Sequence, residues 1–344
     1  MDSRVLLAID GNSLLHRSFH AQAHTGIRSV DGRPIWAVRG LLSQLVTAVD
    51  RVGPDAVLVG FDDPTSSLRR TQWPQYKAAR NDKLETLVGQ LALAADVLRA
   101  IGVAVVVPTG LEADDVLASA ARFAPTRGAT TVIMTSDRDA FALIDEHTRV
   151  LRIVNGGVEA SPMLTAERLV MMLGIRPEQY RDFAALRGDA SDNLPGVAGI
   201  GPKTAAKLLA ALGSAQAAFD NLAGDGCRVV AAIGVAAARQ LAHPDARAAW
   251  QLNCQAMTMH DDVPLGLDFA GGAGVLPFDG ATVRSAFADH QLTWTTATAL
   301  RVLARDEIGG AAPPRRTWSE PPGRGSPAPQ RQPRLAAIGA KVEQ

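Results

Sequence analysis

Over the first 170 residues, short apolar runs alternate with longer stretches in which apolar residues recur at helical spacing. The short runs predict buried strands at Val5–Ile9, Ala56–Phe61, Val103–Val107, Thr130–Met134 and Leu151–Val154. The longer stretches predict helices at Ser13–Ala23, Trp36–Val49, Leu84–Ile101 and Asp114–Phe123. Strands that alternate with helices are typical of an α/β fold. We therefore expect a central, mostly parallel twisted sheet flanked by helices.

From about Thr165 the strand pattern fades, and the apolar spacing predicts short helices only. These helices are Ala166–Leu173, Pro177–Leu186, Thr204–Leu212 and Ala232–Leu241. After Glu307 the chain is rich in Pro, Gly, Arg and Ala, a composition that buries too little apolar surface to offset the cost of ordering. We predict three parts: an α/β core over 1–170, a helical domain over 171–305 and a disordered tail over 306–344.

The amino-acid composition indicates the cellular compartment but does not indicate the function. The 344 residues contain 35 Lys+Arg and 35 Asp+Glu, so net charge does not indicate nucleic-acid binding. Cys227 and Cys254 form no CxxC motif, which argues against a zinc ribbon or a disulfide framework. No apolar stretch reaches about 18 residues, and Met1–Arg4 does not open a signal peptide. We expect a cytoplasmic protein with no membrane partner.

Acidic residues form short clusters along the chain, and several of these clusters follow a predicted strand directly. They are Asp10, Asp62, Asp63, Glu112, Asp114, Asp115, Asp137, Asp139, Asp189 and Asp192. The carboxyl ends of parallel strands form the ligand site of such sheets, and clustered carboxylates there suit hard divalent cations. Two cations side by side are typical of phosphodiester cleavage. Each acid taken alone is equally typical of a helix cap or turn, and we assign Asp63, Asp145 and Asp182 to that role.

Two further segments suit nucleic acid. Residues 194–212 contain Gly196, Gly199 and Gly201 and then a helix with lysines, a pattern typical of a helix–hairpin–helix that binds duplex backbone; an ordinary tight connection is the alternative. The stretch Leu68–Lys83 is basic and carries two aromatic residues, as expected for contacts to phosphates and unpaired bases. It predicts an arch or lid over about 64–90, with a solvated charged face as the alternative.

Together these motifs resemble the 5′-nuclease family, which includes the 5′→3′ exonuclease domain of DNA polymerase I and stand-alone flap endonucleases. The matching motifs are Asp10-Gly11, Phe61-Asp62, Tyr76-Lys77-Ala78-x-Arg80, Glu112-Ala113-Asp114-Asp115, Ser136-Asp137-Arg138-Asp139, Gly188-Asp189-Ala190-Ser191-Asp192-Asn193-Leu194-Pro195-Gly196 and Gly199-Ile200-Gly201-x-Lys203-Thr204-Ala205. The family's prolines after the arch motif are absent here, where the chain reads Asn81-Asp82-Lys83-Leu84. The resemblance implies a PIN-like nuclease core with a helical arch and a C-terminal helix–three-turn–helix domain.

The resemblance also implies roles for individual residues. Two or more Mg²⁺ or Mn²⁺ ions would be held by Asp10, Asp62, Glu112, Asp114, Asp115, Asp137, Asp139, Asp189 and Asp192. Asp114, Lys77 and Arg80 would be catalytic. DNA would be bound by Arg69, Arg70, Tyr76, Gly196, Gly199, Gly201, Lys203, Thr204 and Lys207, with a K⁺ ion at the glycine hairpin.

The resulting expectation is a free-standing, monomeric enzyme that hydrolyses DNA at 5′ ends, 5′ flaps and nicked or branched duplex. It would also remove RNA–DNA primers and act in replication and repair. Two other functions stay open at this point. One is a non-catalytic, structure-selective DNA-binding protein, and the other is a PIN-type ribonuclease.

Overall fold

The computed structural model describes residues 3–79, 84–292 and 296–305. Arg80 and the predicted tail over 306–344 lie outside the described residues. None of the described helices is long and apolar enough to cross a membrane.

A six-stranded sheet forms the centre of the molecule. Its strands are β1 (Arg4–Asp10), β2 (Ala56–Gly60), β3 (Ala104–Val106), β4 (Ala129–Thr135), β5 (Thr148–Arg152) and β6 (Met163–Leu164). They lie in the order β3-β2-β1-β4-β5-β6, and all neighbours are parallel except β5 and β6. The predicted α/β class is confirmed. The fifth strand begins three residues before its predicted start, because polar Arg149 within it hides the apolar run.

Alternate residues of each central strand are buried in opposite cores. In β1, Leu7 and Ile9 face one core while Leu6 and Ala8 face the other. The first core is formed mainly by α1 (Gly11–Gln22), α2 (Trp36–Val52), α4 (Glu85–Ala100) and α13 (Gly280–Asp289). The chain then continues through α14 (Thr296–Ala299) and a π-helical turn (Leu300–Ala304) that packs on the same side. Strands covered on both faces read as continuous apolar runs, which explains the sequence pattern.

The second core joins the sheet to the helical half of the chain. It contains α5 (Ala113–Thr126), α7 (Ala166–Leu173), α8 (Tyr180–Arg187), α9 (Pro202–Leu212), α10 (Ala215–Ala223), α11 (Cys227–Leu241) and α12 (Pro244–Ala256). The predicted helix Ala232–Leu241 is the later part of α11, which bends at Gly234 (φ 79°). Between α8 and α9, the two-residue strands β7 (Gly188–Asp189) and β8 (Leu194–Pro195) form a small antiparallel hairpin.

The described part of the predicted arch packs on this hairpin. Residues 64–79 form α3 (Leu68–Gln72) and the turns that follow it, whereas residues 85–90 belong to α4 rather than to an arch. A further short helix, α6 (Gly157–Ala160), adds Val158 to the first core. The Lys77 N–H donates to the Asp192 carbonyl oxygen at 2.8 Å, and the Asn193 side-chain amide donates to the Gln75 carbonyl oxygen at 2.9 Å. The base of the arch segment is thus held against the loop that carries Asp189 and Asp192.

Candidate active site

Asp10 and Asp62, the first two aspartates at strand ends, are oriented by hydrogen bonds from polar neighbours. Asp10 ends β1 and caps α1, so its carboxylate accepts the Ser13 N–H (2.8 Å) and also the Thr135 hydroxyl (2.7 Å). Asp62 follows β2 and accepts the Asn12 side-chain amide (2.7 Å). Because β1 and β2 are parallel neighbours, both carboxylates lie at one edge of the sheet. Asn12 and Thr135 had no predicted role, although both are polar residues at the end of an apolar run.

Asp10 and Asp114 face other acids across this edge. Burial raises the pKa of Asp10 to about 7 against its two hydrogen bonds, and the charges of Asp62 and Asp137 raise it further. Burial, followed by the charges of Asp137 and Asp10, raises the pKa of Asp114 well above its usual range. The charge of Lys77 opposes the rise in the pKa of Asp114, but burial and the neighbouring acids outweigh it, so the ionised form stays disfavoured.

Asp139 connects this group to the hairpin. Burial raises its pKa to about 7, and the charges of Asp137, Asp192 and Asp189 add to the effect. Asp192 is 8% exposed, and Asp189 accepts the Ser191 N–H (2.8 Å) while facing Arg187 at 3.5 Å. Acids from β1, the β4 loop, α5 and the hairpin therefore repel one another across a shared space.

The chemistry of these donors fits hydrated divalent cations. Over residues 3–79, 84–292 and 296–305, no three His, Cys, Asp or Glu side chains converge closely enough to ligate one ion directly. Mg²⁺ usually keeps several waters and takes only one or two protein carboxylates, so wide spacing of the acids is compatible with it. A cation between them would supply the missing counter-charge.

Asp115 and Arg69 lie in a different environment from the acids at the edge of the sheet. Both of its carboxylate oxygens accept hydrogen bonds from the Arg69 guanidinium, at 2.6 and 2.8 Å, and it also accepts the Glu112 and His260 N–H groups. Asp115 was predicted to ligate a cation, but the protein itself occupies its oxygens. Arg69 was predicted to contact DNA, but it is 6% exposed. Burial disfavours its charge, yet the bonds and charge of Asp115 outweigh this and raise the pKa of Arg69.

Glu112 links this ion pair to the arch segment. Its Oε2 accepts hydrogen bonds from Lys77 Nζ (2.9 Å), Tyr76 Oη (3.1 Å) and Arg69 (3.2 Å). Lys77 has the left-handed backbone angle φ 55°, which reverses the chain direction within the arch segment. Tyr76, predicted to contact DNA, is 4% exposed and packs within the protein. Arg70, one residue from Arg69 on α3, is exposed.

The glycine hairpin divides into a packed part and an exposed part. A Cβ on Gly196 would lie 2.2 Å from the Arg187 carbonyl oxygen, so Gly196 serves the close approach of two backbones rather than a DNA contact. Gly199 has φ 75°, and Gly201 caps α9. The side chains that follow are exposed or half-buried: Lys203, Thr204 and Lys207. Ile200 and Ala205 are buried beneath them and fix the orientation of the hairpin.

Comparison with known proteins agrees with this architecture. Residues 5–172 match the family model of the 5′-3′ exonuclease N-terminal resolvase-like domain, and residues 175–273 match that of the 5′-3′ exonuclease C-terminal SAM fold. DNA polymerase I of Thermus aquaticus is 39% identical over 268 residues, which are 78% of this chain and 30% of the polymerase. DNA polymerase I of Mycobacterium tuberculosis (strain H37Rv) is 38% identical over 217 residues, or 63% of this chain and 24% of the polymerase.

Solved structures share the fold at low sequence identity. Zinc-bound T5 5′-exonuclease superposes with a TM-score of 0.59 and 16% identity, over 87% of this chain and all of its own. The catalytic core of Rad2 in complex with DNA substrate gives a TM-score of 0.55 and 14% identity, over 88% of this chain and 92% of that one. The curated relatives are matched over only about a quarter to a third of their length. With both family models matched in order along most of the sequence, the chain belongs to the 5′-3′ exonuclease family.

Proposed function

We propose that this protein is a divalent-metal-dependent 5′-3′ exonuclease and 5′-flap endonuclease that hydrolyses DNA phosphodiesters. The observation that carries the proposal is the group formed by buried Asp10 and half-buried Asp114 and Asp139, whose pKa values are raised by burial and by the charges of neighbouring acids. Such an arrangement disfavours the ionised state until a cation binds. Its position at the carboxyl edge of the sheet, in a chain of this family, supports a catalytic role.

The cations would be held by the facing acids. These are Asp10, Asp62, Glu112, Asp114, Asp137, Asp139, Asp189 and Asp192, with Mg²⁺ or Mn²⁺ as the ions. When bound, divalent ions activate water and stabilise the leaving oxygen of a phosphodiester. Asp115 and Arg69 would not touch the cations but would position their ligands, because their ion pair fixes the start of α5 and with it Glu112 and Asp114.

Cationic side chains at the arch would bind the substrate strand. The Lys77 side chain lies beside Glu112 and is 11% exposed, and a phosphate held by the metal ions would compete for it. Lys77 and Arg80 would then offset charge that develops on the scissile phosphate. Exposed Arg70 would contact the strand as it approaches the arch.

The glycine hairpin would hold the duplex part of the substrate. Gly199, Gly201 and the exposed side chains of Lys203, Thr204 and Lys207 present N–H groups and positive charge at the start of α9. A K⁺ ion on the backbone carbonyls of the hairpin would add to this contact. We infer RNA–DNA primers, 5′ flaps and nicked or branched DNA as substrates, a monomer as the active form, and a boundary near residue 170 between the core and the helical domain. The change of family model between residues 172 and 175 supports that boundary.

The proposal is tested by cleavage of a labelled 5′-flap duplex with Mg²⁺, with Mn²⁺ and with neither. Asp114→Asn is expected to lower the cleavage rate by about 10³-fold, because it removes one charge of the cation site, while flap binding stays measurable. Asp96→Asn is the matched control, since Asp96 is an exposed residue on α4. Wild-type activity in Asp114→Asn would overturn the assignment. Binding without cleavage by the wild type would instead favour the non-catalytic DNA-binding protein, and preferential cleavage of single-stranded RNA would favour the ribonuclease.

A further inference from the structure

Three arginines lie together on the β4–β5 side of the acidic edge, away from Lys77. Arg152 ends β5 and is in register with Thr135 at the end of β4, and Arg138 follows in the loop after β4. Arg17 on α1 reaches the same side, where its guanidinium donates to Asn155 at 2.7 Å. Because β5 is separated from β1 by β4 only, this group borders the carboxylates that include Asp10.

Within the part of the chain that the structure describes, these guanidinium groups form no ion pair. No Asp or Glu oxygen of the described residues lies within 4.0 Å of Arg17, Arg138 or Arg152. Arg152 is half-buried, and its pKa is lowered first by burial and then by the charges of Arg138 and Arg17, which outweigh the opposing charge of Asp137. Like charges held together at a partly dry site are unfavourable unless an anion joins them.

Two buried donors on the same side also lack acceptors. Arg152 Nε and the Tyr180 hydroxyl are both buried, and neither has a hydrogen-bond partner among the described residues. Both side chains contact Phe141: the Arg152 guanidinium lies 5.9 Å from the ring centroid, and the Tyr180 ring packs edge-on at 5.3 Å. Buried donors in native proteins are usually satisfied. Tyr180 is only 1% exposed, so Arg152 Nε, on a half-buried side chain, is the donor that points to a ligand with acceptor oxygens.

We propose that Arg17, Arg138 and Arg152 form a second phosphate-binding site for the substrate strand, on the opposite side of the acidic cluster from Lys77. The planar arginine group suits phosphate oxygens and can donate two parallel hydrogen bonds. The site takes either the 5′-terminal phosphate or a phosphodiester of the strand that reaches the acidic cluster. It therefore rests on the proposed function for its ligand, but its occupation does not depend on hydrolysis.

Binding of a fluorescent single-stranded DNA oligonucleotide to the full chain without divalent ions tests this site. Arg152→Gln is expected to weaken binding about tenfold and to reduce the slope of log Kobs against log salt by about 0.7, the value for one lost phosphate contact on a single strand. Arg149→Gln is the matched control, because Arg149 is an exposed arginine on the same strand. It should change affinity less than twofold.

Oligonucleotides with a 5′-phosphate and a 5′-hydroxyl distinguish the two phosphate sources. A loss confined to the 5′-phosphorylated oligonucleotide assigns the site to the terminal phosphate, and an equal loss assigns it to an internal phosphodiester. Arg152→Gln that behaves like Arg149→Gln with both would overturn the inference. If Arg152→Gln is misfolded by circular dichroism, Arg138→Gln replaces it, since Arg138 is exposed in a loop. A wild-type protein that binds the oligonucleotide but cleaves no flap would overturn the proposed function alone.

Discussion

Asp114 and Asp115 are consecutive residues of α5, yet they lie in opposite electrostatic environments. Asp115 is fully buried and receives four hydrogen bonds, two of them from Arg69. Asp114 faces Asp137 and Asp10, and the mutual repulsion together with burial raises its pKa. In the ion-pair region around Arg69, the charge of Asp115 is compensated by the protein itself. At the acidic edge around Asp114, burial and the neighbouring acids outweigh the charge of Lys77, as expected of a site that binds a cation.

The difference shows how one short motif can serve stability and chemistry at once. Adjacent positions at the start of a helix point about 100° apart, so one acid can face inward and the other can face the edge of the sheet. The inward acid fixes the helix and the base of the arch segment. The other is then held in a position that the unliganded protein does not favour on its own, which is the condition expected of a cation site.

The largest effect on stability is expected when the Arg69 side chain is removed from its ion pair with Asp115 and Glu112. Arg69→Met leaves Asp115 and Glu112 buried without their partner, so the free energy of unfolding of the metal-free protein should fall by about 3–5 kcal/mol. Arg122→Gln removes an exposed arginine–aspartate pair from the same helix, Arg122 with Asp261, and should cost less than about 1 kcal/mol. Chemical denaturation of both variants measures the contrast. Equal losses would show that the ion pair around Arg69 has no special role.

A smaller effect is expected from pH at the acidic edge. The pKa values of Asp10 and Asp139 rise from about 3.8 to about 7 on folding, so the folded protein binds more protons than the unfolded chain within that window. Their contribution to stability is present below pH 3.8 and is lost as the pH rises through about 7. The metal-free protein should lose stability over that range relative to Asp10→Asn.

Divalent ions should reverse this loss. Mg²⁺ binds the ionised carboxylates, so it should raise the midpoint of thermal unfolding more at pH 8 than at pH 5. Asp10→Asn should show a smaller difference between the two pH values. A shift by Mg²⁺ that is independent of pH, or equal in wild type and Asp10→Asn, would contradict the assignment of Asp10 to the cation site.

The smallest expected effect concerns the groups that orient the acids. Asn12→Ala removes the amide that donates to Asp62 and the oxygen that accepts the Asp62 N–H, and it should cost about 1–2 kcal/mol of unfolding free energy. It should also weaken Mg²⁺ binding, measured by calorimetry, because Asp62 is then free to turn away. Unchanged Mg²⁺ affinity alongside lowered stability would limit Asn12 to a role in packing.

Many elements of the fold can be predicted from the spacing of apolar residues along the chain. The buried strands read as apolar runs because helices cover both faces of the sheet, and the strand-end acids fall at one edge because the strands are parallel. The helical half was only partly predicted. Helices α10 and α12 are rich in alanine and mix small, polar and apolar residues, so their buried faces are narrow and their spacing is a weak signal.

The α/β class, the order of the motifs and the excess of acids near the strand ends can all be predicted from the order of amino acids. Which charged side chains meet depends on how the chain folds. Arg69 is separated from Asp115 by 46 residues along the chain, and its pairing depends on how α3 packs against the start of α5. Neighbouring Arg70 has the same chemistry and is exposed. Local pattern cannot separate such residues, because the free energy of a charge depends on the burial and partners that the folded chain provides.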